Sequence, residues 1–308
     1  MNDLSTVYVI GAAGQLGSAL VTSPAIPTDV RVVGLRSSDI DITSSVSVGR
    51  ALADLAAGDV VVNTAAFTDV DGAETARAAA YAVNADGPGH LAAATAAARA
   101  HLIHVSTDYV FGRGASGRGT SGWSSPLEPS DLSDDAQPDT VYGASKLAGE
   151  RALMAADPSA VVVRTAWVFT GRPPVRDFVT TMRRLEAERD ELKVVDDQRG
   201  SPTYAPDLAA GLWELAGSIR AGRSHGGSVL HATNAGEATW CDFARAVFTC
   251  IGANPERVKP CSTEQFPRPA PRPQYSVLSA KSWAQAGLTP LRDWPDALRN
   301  ALGAPTSG

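Results

Sequence analysis

A tyrosine and a lysine stand four residues apart near the middle of the 308-residue chain, in the string YGASK at 142–146. On a helix, residues at this spacing lie on the same face, one turn apart. A cation beside a phenol stabilises the phenolate and moves the phenol pKa from about 10 toward neutrality. The spacing therefore predicts that Tyr142, assisted by Lys146, donates a proton to a carbonyl oxygen as a hydride reaches the carbonyl carbon. An exposed pair on a helix surface has the same sequence, so the context must decide.

Thr107 supplies part of that context. It lies in the string STDYVF, which closes an apolar run that begins at Leu102. Ligands of open α/β sheets bind at the carboxyl ends of the strands. A hydroxyl at this position is expected to hold the same carbonyl in place for the reaction.

The string GAAGQLG at 11–17 directly follows the first β-branched run of the chain. Glycines at this spacing permit a tight turn, close approach of the backbone to a pyrophosphate, and close packing of the next helix. The free N–H groups at the start of that helix favour an anion. The string predicts a dinucleotide site at Gly11, Gly14, Gln15 and Leu16; the alternative is a tight turn with no ligand.

Cofactor choice depends on the residues after the second strand, which read Arg36, Ser37 and Ser38. A carboxylate at this point is typical of sites for NAD, whereas a cation and hydroxyls suit a ribose 2′-phosphate. NADPH is therefore expected. If Asp39 or Asp41 reaches the ribose, NADH would be accepted as well. The alternative for Arg36 is an exposed turn residue with no cofactor role.

Short β-branched runs alternate with Ala-rich helical stretches through the first half of the chain, which predicts a doubly wound, Rossmann-like parallel sheet in an α/β fold. The predicted strands are 7–10, 31–35, 60–63, 102–106 and 161–165. The predicted helices are 15–21, 46–57, 86–100, 142–156, 177–191, 206–219 and 239–251.

Two lobes are expected for a chain of this length. We predict a dinucleotide-binding domain at 1–168, to which 203–232 returns, and a smaller, mainly helical lobe formed by 169–202 and 233–308. The Gly-, Ser- and Pro-rich stretch 112–138 predicts a long loop, and 255–273 predicts an irregular segment over the second lobe.

Bulk properties argue against several classes of partner. The net charge is −6 and no basic tract occurs, which makes a nucleic-acid partner unfavourable. No apolar run of about 18 residues and no signal-like start is present, so a cytoplasmic protein with no membrane segment is expected. The three cysteines lack metal-site spacing and are expected to be free thiols.

Two sets of charged residues have structural interpretations. Asp71 and Glu74 have the spacing of a helix capping box, which is favoured over a metal site that includes Asp69. No metal is expected. Arg164 lies in an apolar strand and is expected to donate to neighbouring carbonyls, because a buried guanidinium needs partners.

Several longer strings resemble the dTDP-4-dehydrorhamnose reductase family of extended short-chain dehydrogenases, and they are spread along the whole chain. The most specific are STDYVF at 106, YGASKLAGE at 142, RTAWV at 164 and DQRGSPT at 197. The resemblance implies reduction of the 4-keto group of dTDP-4-dehydro-L-rhamnose with a nicotinamide cofactor, which gives dTDP-L-rhamnose.

The resemblance also implies roles for individual residues. Lys146 would hold the nicotinamide ribose and lower the Tyr142 pKa, and Thr107 would complete a catalytic triad. Asp108 and Trp167 would face the sugar nucleotide, although Trp167 is also explained as a core residue at a strand end. Arg268 and Arg272, in the Pro-rich segment, are candidates for the substrate diphosphate or are solvated charges. The remaining cofactor contacts would be Asp41, Ile42, Ala65, Ala66 and Thr68.

Two other functions stay open at this point. One is a reductase or epimerase for another dTDP-deoxyhexose, with the same triad and a changed sugar pocket. The other is a non-catalytic regulatory subunit that binds NADP(H) and a partner protein; the intact triad argues against it. Both a monomer and a homodimer are compatible with the sequence.

Overall fold

The computed structural model describes residues 5–112 and 125–303. At its centre lies a six-stranded, parallel sheet with the strand order β2-β1-β3-β4-β5-β10. The strands are β1 (Ser5–Ile10), β2 (Val30–Leu35), β3 (Val60–Asn63), β4 (His101–Thr107), β5 (Val161–Thr165) and β10 (Val229–His231). The first five match the predicted strands, and β10 is an addition that the sequence did not predict.

Helices cover both faces of this sheet, as the doubly wound prediction requires. Val7 and Val9 of β1 pack in the core cluster on one face, and Tyr8 and Ile10 pack in the cluster on the other. The first face is covered by α1 (Gln15–Val21) and α8 (Ala205–Arg220); the second is covered by α2 (Ser45–Ala51), α5 (Gly87–Ala98) and α6 (Val141–Ala156). The strands are therefore apolar on both sides, which explains their continuous apolar sequences.

A separate hydrophobic cluster surrounds Phe243 and Phe248. It is built on α7 (Phe178–Glu188), α9 (Trp240–Cys250) and α11 (Trp294–Leu302). Three two-stranded sheets accompany these helices: β6 (Val168–Phe169) with β9 (Thr203–Tyr204), β7 (Leu192–Val195) with β12 (Val258–Cys261), and β8 (Arg199–Gly200) with β11 (Ala238–Thr239). The short helix α10 (Lys281–Gln285) places Trp283 in the core of the large sheet. The boundaries of the two lobes stay a prediction.

The structure changes the expectations for the stretch 255–273 and for the cap of one helix. Within 255–273, which was expected to be irregular, β12 pairs with β7. The same stretch also contacts helix α3 (Val70–Thr75), because the Ala270 N–H donates to Asp71 Oδ1 over 3.2 Å. Part of the predicted loop, 113–124, lies outside the described residues.

The capping-box interpretation of Asp71 and Glu74 was wrong as well. Asp69 is the N-cap of α3 and accepts the Gly72 N–H over 2.9 Å. Asp71 instead forms ion pairs with Arg268 and Arg272. Glu74 Oε1 accepts the N–H of Val141, at the start of α6, over 2.9 Å. These two carboxylates therefore join α3 to other parts of the chain. In the described residues, no group of three or more His, Cys, Asp or Glu side chains is placed to hold a metal ion.

Arg164 on β5 has a carboxylate as its partner rather than the carbonyls that were expected. Its Nε and Nη2 donate to the two oxygens of Glu150 on α6, over 3.0 and 2.7 Å. Both side chains are almost fully buried. The guanidinium also lies over the Phe111 ring. The pair fixes α6 to the sheet. Elsewhere, the cysteines are free thiols as expected, and no described helix combines the length and apolarity needed to span a membrane.

We expect Arg164→Met to lower the free energy of unfolding by about 3–5 kcal/mol, because it leaves a buried carboxylate without its partner. Urea denaturation of wild type and variant measures the difference. The control is Arg184→Met, which breaks an exposed ion pair with Glu188 and should cost less than about 1 kcal/mol. Equal losses in the two variants would contradict the structural importance of the buried pair.

Candidate active site

A cavity of about 900 Å³ lies at the carboxyl edge of the large sheet. The segments that follow β1, β2, β3, β4 and β5 all contribute to its walls, and Trp240 of α9 is also part of the lining. The sequence-predicted residues that line it are Gly11, Gly14, Gln15, Leu16, Arg36, Ser37, Asp41, Ile42, Ala65, Ala66, Thr68, Thr107, Asp108, Tyr142, Lys146 and Trp167. The glycine turn and the tyrosine–lysine pair therefore share one cavity.

The glycine turn leaves no room for a side chain at Gly11 or at Gly17. Gly11 has a φ of +81°, and a Cβ on it would lie 2.8 Å from the Ala65 nitrogen. A Cβ on Gly17 would lie 2.1 Å from the Gly11 oxygen. Gly14 is the N-cap of α1, and the first N–H groups of a helix have no partner within it. This close packing and these N–H groups fit a bound pyrophosphate.

Asp39 and Asp41, which follow β2, accept hydrogen bonds from neighbouring residues. Asp39 accepts the backbone N–H of Arg36 over 2.8 Å and the Ser38 hydroxyl over 3.2 Å. Asp41 accepts two hydrogen bonds from Thr43, which hold the pKa of its carboxyl below the usual value. The guanidinium of Arg36 makes no ion pair within the described residues and lines the cavity. Ser38 is not among the described residues that line it.

Tyr142 and Thr107 meet at the end of β4. Tyr142 lies in the first turn of α6, whose N-cap Thr140 accepts the Gly143 N–H over 2.9 Å. The Thr107 hydroxyl lies close enough to the phenol to act against the rise of its pKa. Thr107 also donates to Asp108 Oδ1 over 3.0 Å. Because these groups are buried, water has little access to a carbonyl bound between them.

Burial controls the ionisation of the phenol. It raises the pKa of Tyr142 to about 12, although the nearby Thr107 hydroxyl acts in the opposite direction. The expectation that Lys146 shifts this pKa toward neutrality was wrong for this arrangement. Lys146 Nζ instead donates to the Val105 carbonyl oxygen over 2.7 Å, and burial lowers the pKa of Lys146 to about 8 against the opposing charge of Glu150.

Asp108 is a second buried acid beside this pair, with 2% of its surface exposed. Burial raises the pKa of its carboxyl to about 6, while hydrogen bonds with Ser276 and Thr107 oppose the rise. Its Oδ2 atom is buried with no hydrogen-bond partner in the described structure. The cavity therefore contains a carboxyl group that a ligand hydroxyl is able to satisfy.

The comparisons with known proteins agree with this geometry. Residues 5–306 match the family model described as RmlD substrate binding domain. The dTDP-4-dehydrorhamnose reductase of Mycobacterium tuberculosis is 52% identical over 301 residues, which cover 98% of this chain and 93% of that protein. The chain belongs to the dTDP-4-dehydrorhamnose reductase family.

Two further relatives are described by a substrate or by a bound cofactor. The probable dTDP-4,6-dihydroxy-2-methyloxan-3-one 4-ketoreductase of Streptomyces antibioticus is 44% identical, covering 96% of this chain and 92% of that protein. A crystal structure of the reductase from Bacillus anthracis, in complex with NADP, superimposes with a TM-score of 0.82 at 32% identity, covering 96% of this chain and 98% of that chain.

Trp240 is a cavity residue that the sequence analysis of this family member missed. Its ring stacks on that of Trp167, with centroids 3.5 Å apart and planes 8° from parallel. Trp167 has a φ of +47°, and a Cβ on Gly200 would lie 2.5 Å from its Cε2 atom. Trp167 packs against the cluster around Phe243 and also lines the cavity. Its contact with the sugar nucleotide stays a prediction.

Asn84 is a second residue that was missed. It lies in a π-helical turn, Ala82–Asp86, between α4 (Arg77–Tyr81) and α5. Its side chain accepts the Phe67 N–H over 2.8 Å and donates to the Phe67 oxygen and to the Ser145 hydroxyl over 3.1 and 3.0 Å. Asn84 thus joins the cavity-lining segment 65–68 to α6. A π-helical turn has no spacing signal of its own, so the sequence did not single out this residue.

Arg272 does not reach this cavity in the described structure. It forms an ion pair with Asp71 over 2.9 Å and donates to the Ala270 oxygen over 2.8 Å. Its proposed contact with a substrate diphosphate stays a prediction.

We predict that Tyr142→Phe lowers kcat by about 10²–10⁴, because the proton donor is lost while the ring remains. Cofactor affinity should be nearly unchanged. Steady-state kinetics and a fluorescence titration with cofactor measure the two quantities. The control is Tyr81→Phe, which removes a hydroxyl that Arg77 contacts on α4. A Tyr142→Phe enzyme that keeps more than about half of the wild-type kcat would contradict the proton-donor role.

Proposed function

We propose that this protein reduces the 4-keto group of dTDP-4-dehydro-L-rhamnose with NADPH to give dTDP-L-rhamnose. The observation that carries the proposal is that Thr107, Tyr142 and Lys146 line the same cavity as the glycine turn. The M. tuberculosis relative, at 52% identity, bears the name of this activity.

NADPH fits the cavity at its glycine end. Gly11, Gly14, Gln15 and Leu16 would contact the pyrophosphate, and Arg36, Ser37 and Ser38 would contact the 2′-phosphate. Asp41 and Ile42 would lie near the adenine, Ala65, Ala66 and Thr68 would line the middle of the cofactor, and Lys146 would contact the nicotinamide ribose. When bound, the nicotinamide supplies a hydride. The B. anthracis relative was crystallised with NADP.

The protein's own residues supply the proton and the orientation. Thr107 holds the carbonyl oxygen of the sugar, and Tyr142 transfers its phenolic proton to that oxygen. Asp108 and Trp167 would contact the sugar, and Arg272 would contact the diphosphate. The second lobe, with the segment 198–203, would hold the nucleotide. The proposal includes two lobes, one formed by 1–168 with 203–232 and the other by 169–202 with 233–308. It also includes a monomeric or homodimeric state and a cytoplasmic location.

A second candidate is reduction of a different dTDP-linked keto sugar. The S. antibioticus relative, at 44% identity, is named for such a substrate, and the triad suits any keto group presented at the same place. The Trp167–Trp240 stack and Asp108 form the part of the cavity in which the two substrate classes would be distinguished. A non-catalytic role is disfavoured, because it gives no reason to bury Tyr142 and Lys146 beside Thr107.

The test is the loss of NADPH absorbance with a panel of dTDP-4-keto sugars. We expect kcat/KM for dTDP-4-dehydro-L-rhamnose to exceed that for the other sugars by at least about tenfold. A higher value for another dTDP-keto sugar would support the second candidate. No turnover of any sugar, in protein shown to bind NADPH, would contradict both.

We predict that NADPH is preferred over NADH and that Arg36→Ala reduces this preference by about one to two orders of magnitude. A charge-assisted contact with the 2′-phosphate contributes roughly 1.5–3 kcal/mol. Measurement of kcat/KM for both cofactors gives the ratio. The control is Arg50→Ala, since Arg50 is exposed on α2. Equal use of both cofactors by the wild type, or an unchanged ratio in Arg36→Ala, would contradict the proposed role of Arg36.

A further inference from the structure

Three residues in the wall of the cavity carry a buried polar atom that has no hydrogen-bond partner among the described residues. The atoms are Gln15 Oε1, Asp108 Oδ2 and Thr165 Oγ1. The proposed function already assigns Asp108 to the sugar, but it gives no role to the side-chain oxygen of Gln15 or to the Thr165 hydroxyl. A buried polar group without a partner is costly, so we expect a ligand that satisfies both of these groups.

Thr165 is the last residue of β5 and lies directly beside the proposed reacting centre. It is the register partner of Thr107 on β4, and neighbouring strands of a sheet are about 4.8 Å apart. Only 6% of its surface is exposed. The Thr165 hydroxyl is therefore buried at the carboxyl edge of the sheet, where ligands of open α/β sheets bind.

Gln15 belongs to the glycine turn, on the same side of the sheet as Thr165. On β5, Val163 packs in the hydrophobic cluster that also contains Leu16 of α1. Alternate residues of a strand share a face, so Thr165 projects toward α1 as well. Helix α1 also contacts β6, which begins three residues after Thr165. A ligand that extends from the glycine turn to the end of β5 therefore passes both side chains.

The hydrogen-bonding properties of the two groups fit a primary carboxamide. The side-chain oxygen of Gln15 only accepts, whereas the Thr165 hydroxyl is able to donate. A carboxamide offers the complementary pair, an N–H donor and a carbonyl acceptor, on one planar group. With the pyrophosphate at the glycine turn and the keto group at Thr107, the nicotinamide ring would lie between them. Its carboxamide is the part of the cofactor that brings this pair to the end of β5.

We propose that Gln15 and Thr165 bind the carboxamide of the nicotinamide: the Thr165 hydroxyl donates to the carboxamide oxygen, and Gln15 Oε1 accepts from the carboxamide N–H. The proposal rests on the proposed function for the identity of the cofactor, and it leaves the pyrophosphate contact of Gln15 to the backbone. Because the carboxamide is a fixed substituent of the ring, these two contacts also determine which face of the ring meets the keto group at Thr107.

The first test compares three ligands of the wild-type protein by isothermal titration calorimetry, in the absence of any sugar. NADP⁺ carries the carboxamide. Its acetylpyridine analogue has a methyl ketone in that place and so lacks the N–H donor, and 2′-phospho-ADP-ribose lacks the whole nicotinamide ring. Because the analogue loses one hydrogen bond, we expect its Kd to be about three- to tenfold higher than that of NADP⁺. Equal affinity for NADP⁺ and the analogue would overturn the proposal.

The second test is Thr165→Val, which removes the hydroxyl and keeps the shape of the side chain. NADP⁺ and the analogue both carry the carbonyl oxygen, so both should bind about three- to tenfold more weakly, whereas the Kd of 2′-phospho-ADP-ribose should not change. Thr165→Ser keeps the hydroxyl and should retain the wild-type Kd values. The control is Thr249→Val, which removes an exposed hydroxyl on α9. Unchanged NADP⁺ binding in Thr165→Val, or an equal loss for 2′-phospho-ADP-ribose, would overturn the proposal.

The third test is Gln15→Met, which replaces the amide by an apolar group of similar length. It should weaken the binding of NADP⁺ but not of the acetylpyridine analogue, so the ratio of their Kd values should fall toward one; an unchanged ratio would overturn the proposal.

These outcomes are distinguishable from failure of the proposed function. If the variants fail to fold, the comparison of ligands in the wild type still decides. Equal binding of NADP⁺ and the analogue would contradict the carboxamide contacts alone, whereas a wild type that binds none of the three ligands would contradict the proposed function as well. A Thr165→Val enzyme with normal NADP⁺ affinity and a raised KM for the keto sugar would assign the hydroxyl to the sugar instead and overturn the proposal.

Discussion

Helix α6 places three ionisable side chains, Tyr142, Lys146 and Glu150, one turn apart on a face that is buried against β4 and β5. A buried polar group without a partner costs several kcal/mol, so each of the three must be paired. Tyr142 lies beside Thr107, Lys146 donates to the Val105 oxygen, and Glu150 pairs with Arg164. A shift of α6 by one turn would break all three contacts together. The register of the helix, and with it the position of the proton donor, is therefore determined by electrostatics as well as by packing.

Other contacts hold the N-terminal half of the same helix in place. Glu74 accepts the first N–H of α6, and Asn84 binds Ser145 between the tyrosine and the lysine. Close approach is possible because Gly149 has no side chain: a Cβ there would lie 1.9 Å from the Asn84 oxygen. The cavity wall at 65–68 and the catalytic helix are thus parts of one rigid network. The proposed cofactor contacts at 65–68 and the proposed proton donor are positioned by the same set of side chains.

Sequence patterns predicted the local structure well and the contacts between distant segments poorly. The strands of the large sheet were recognised because both of their faces are covered by helices, which makes their sequences continuously apolar. Strand β10 has only three residues and β12 lies in a Pro-rich stretch, so neither has a usable periodicity. Trp240 stacks on Trp167 from another part of the chain, and residue spacing contains no information about such a contact. His104 lies in the apolar run 102–106, and its contact with Lys146 was not foreseeable from that run.

The ionisation of the buried groups favours one direction of the reaction. With a pKa of about 12, Tyr142 is protonated at neutral pH and ready to donate. Oxidation of an alcohol would require the phenolate first, at a cost of about 1.4 kcal/mol for every pH unit below the pKa. Once Tyr142 has given up its proton, the phenolate raises the pKa of nearby Lys146 by Coulombic attraction. Because burial holds that pKa at about 8, the lysine is already mostly in the ammonium form at neutral pH. Its charge would therefore stabilise the phenolate after proton transfer, while burial of the phenol keeps Tyr142 protonated before it.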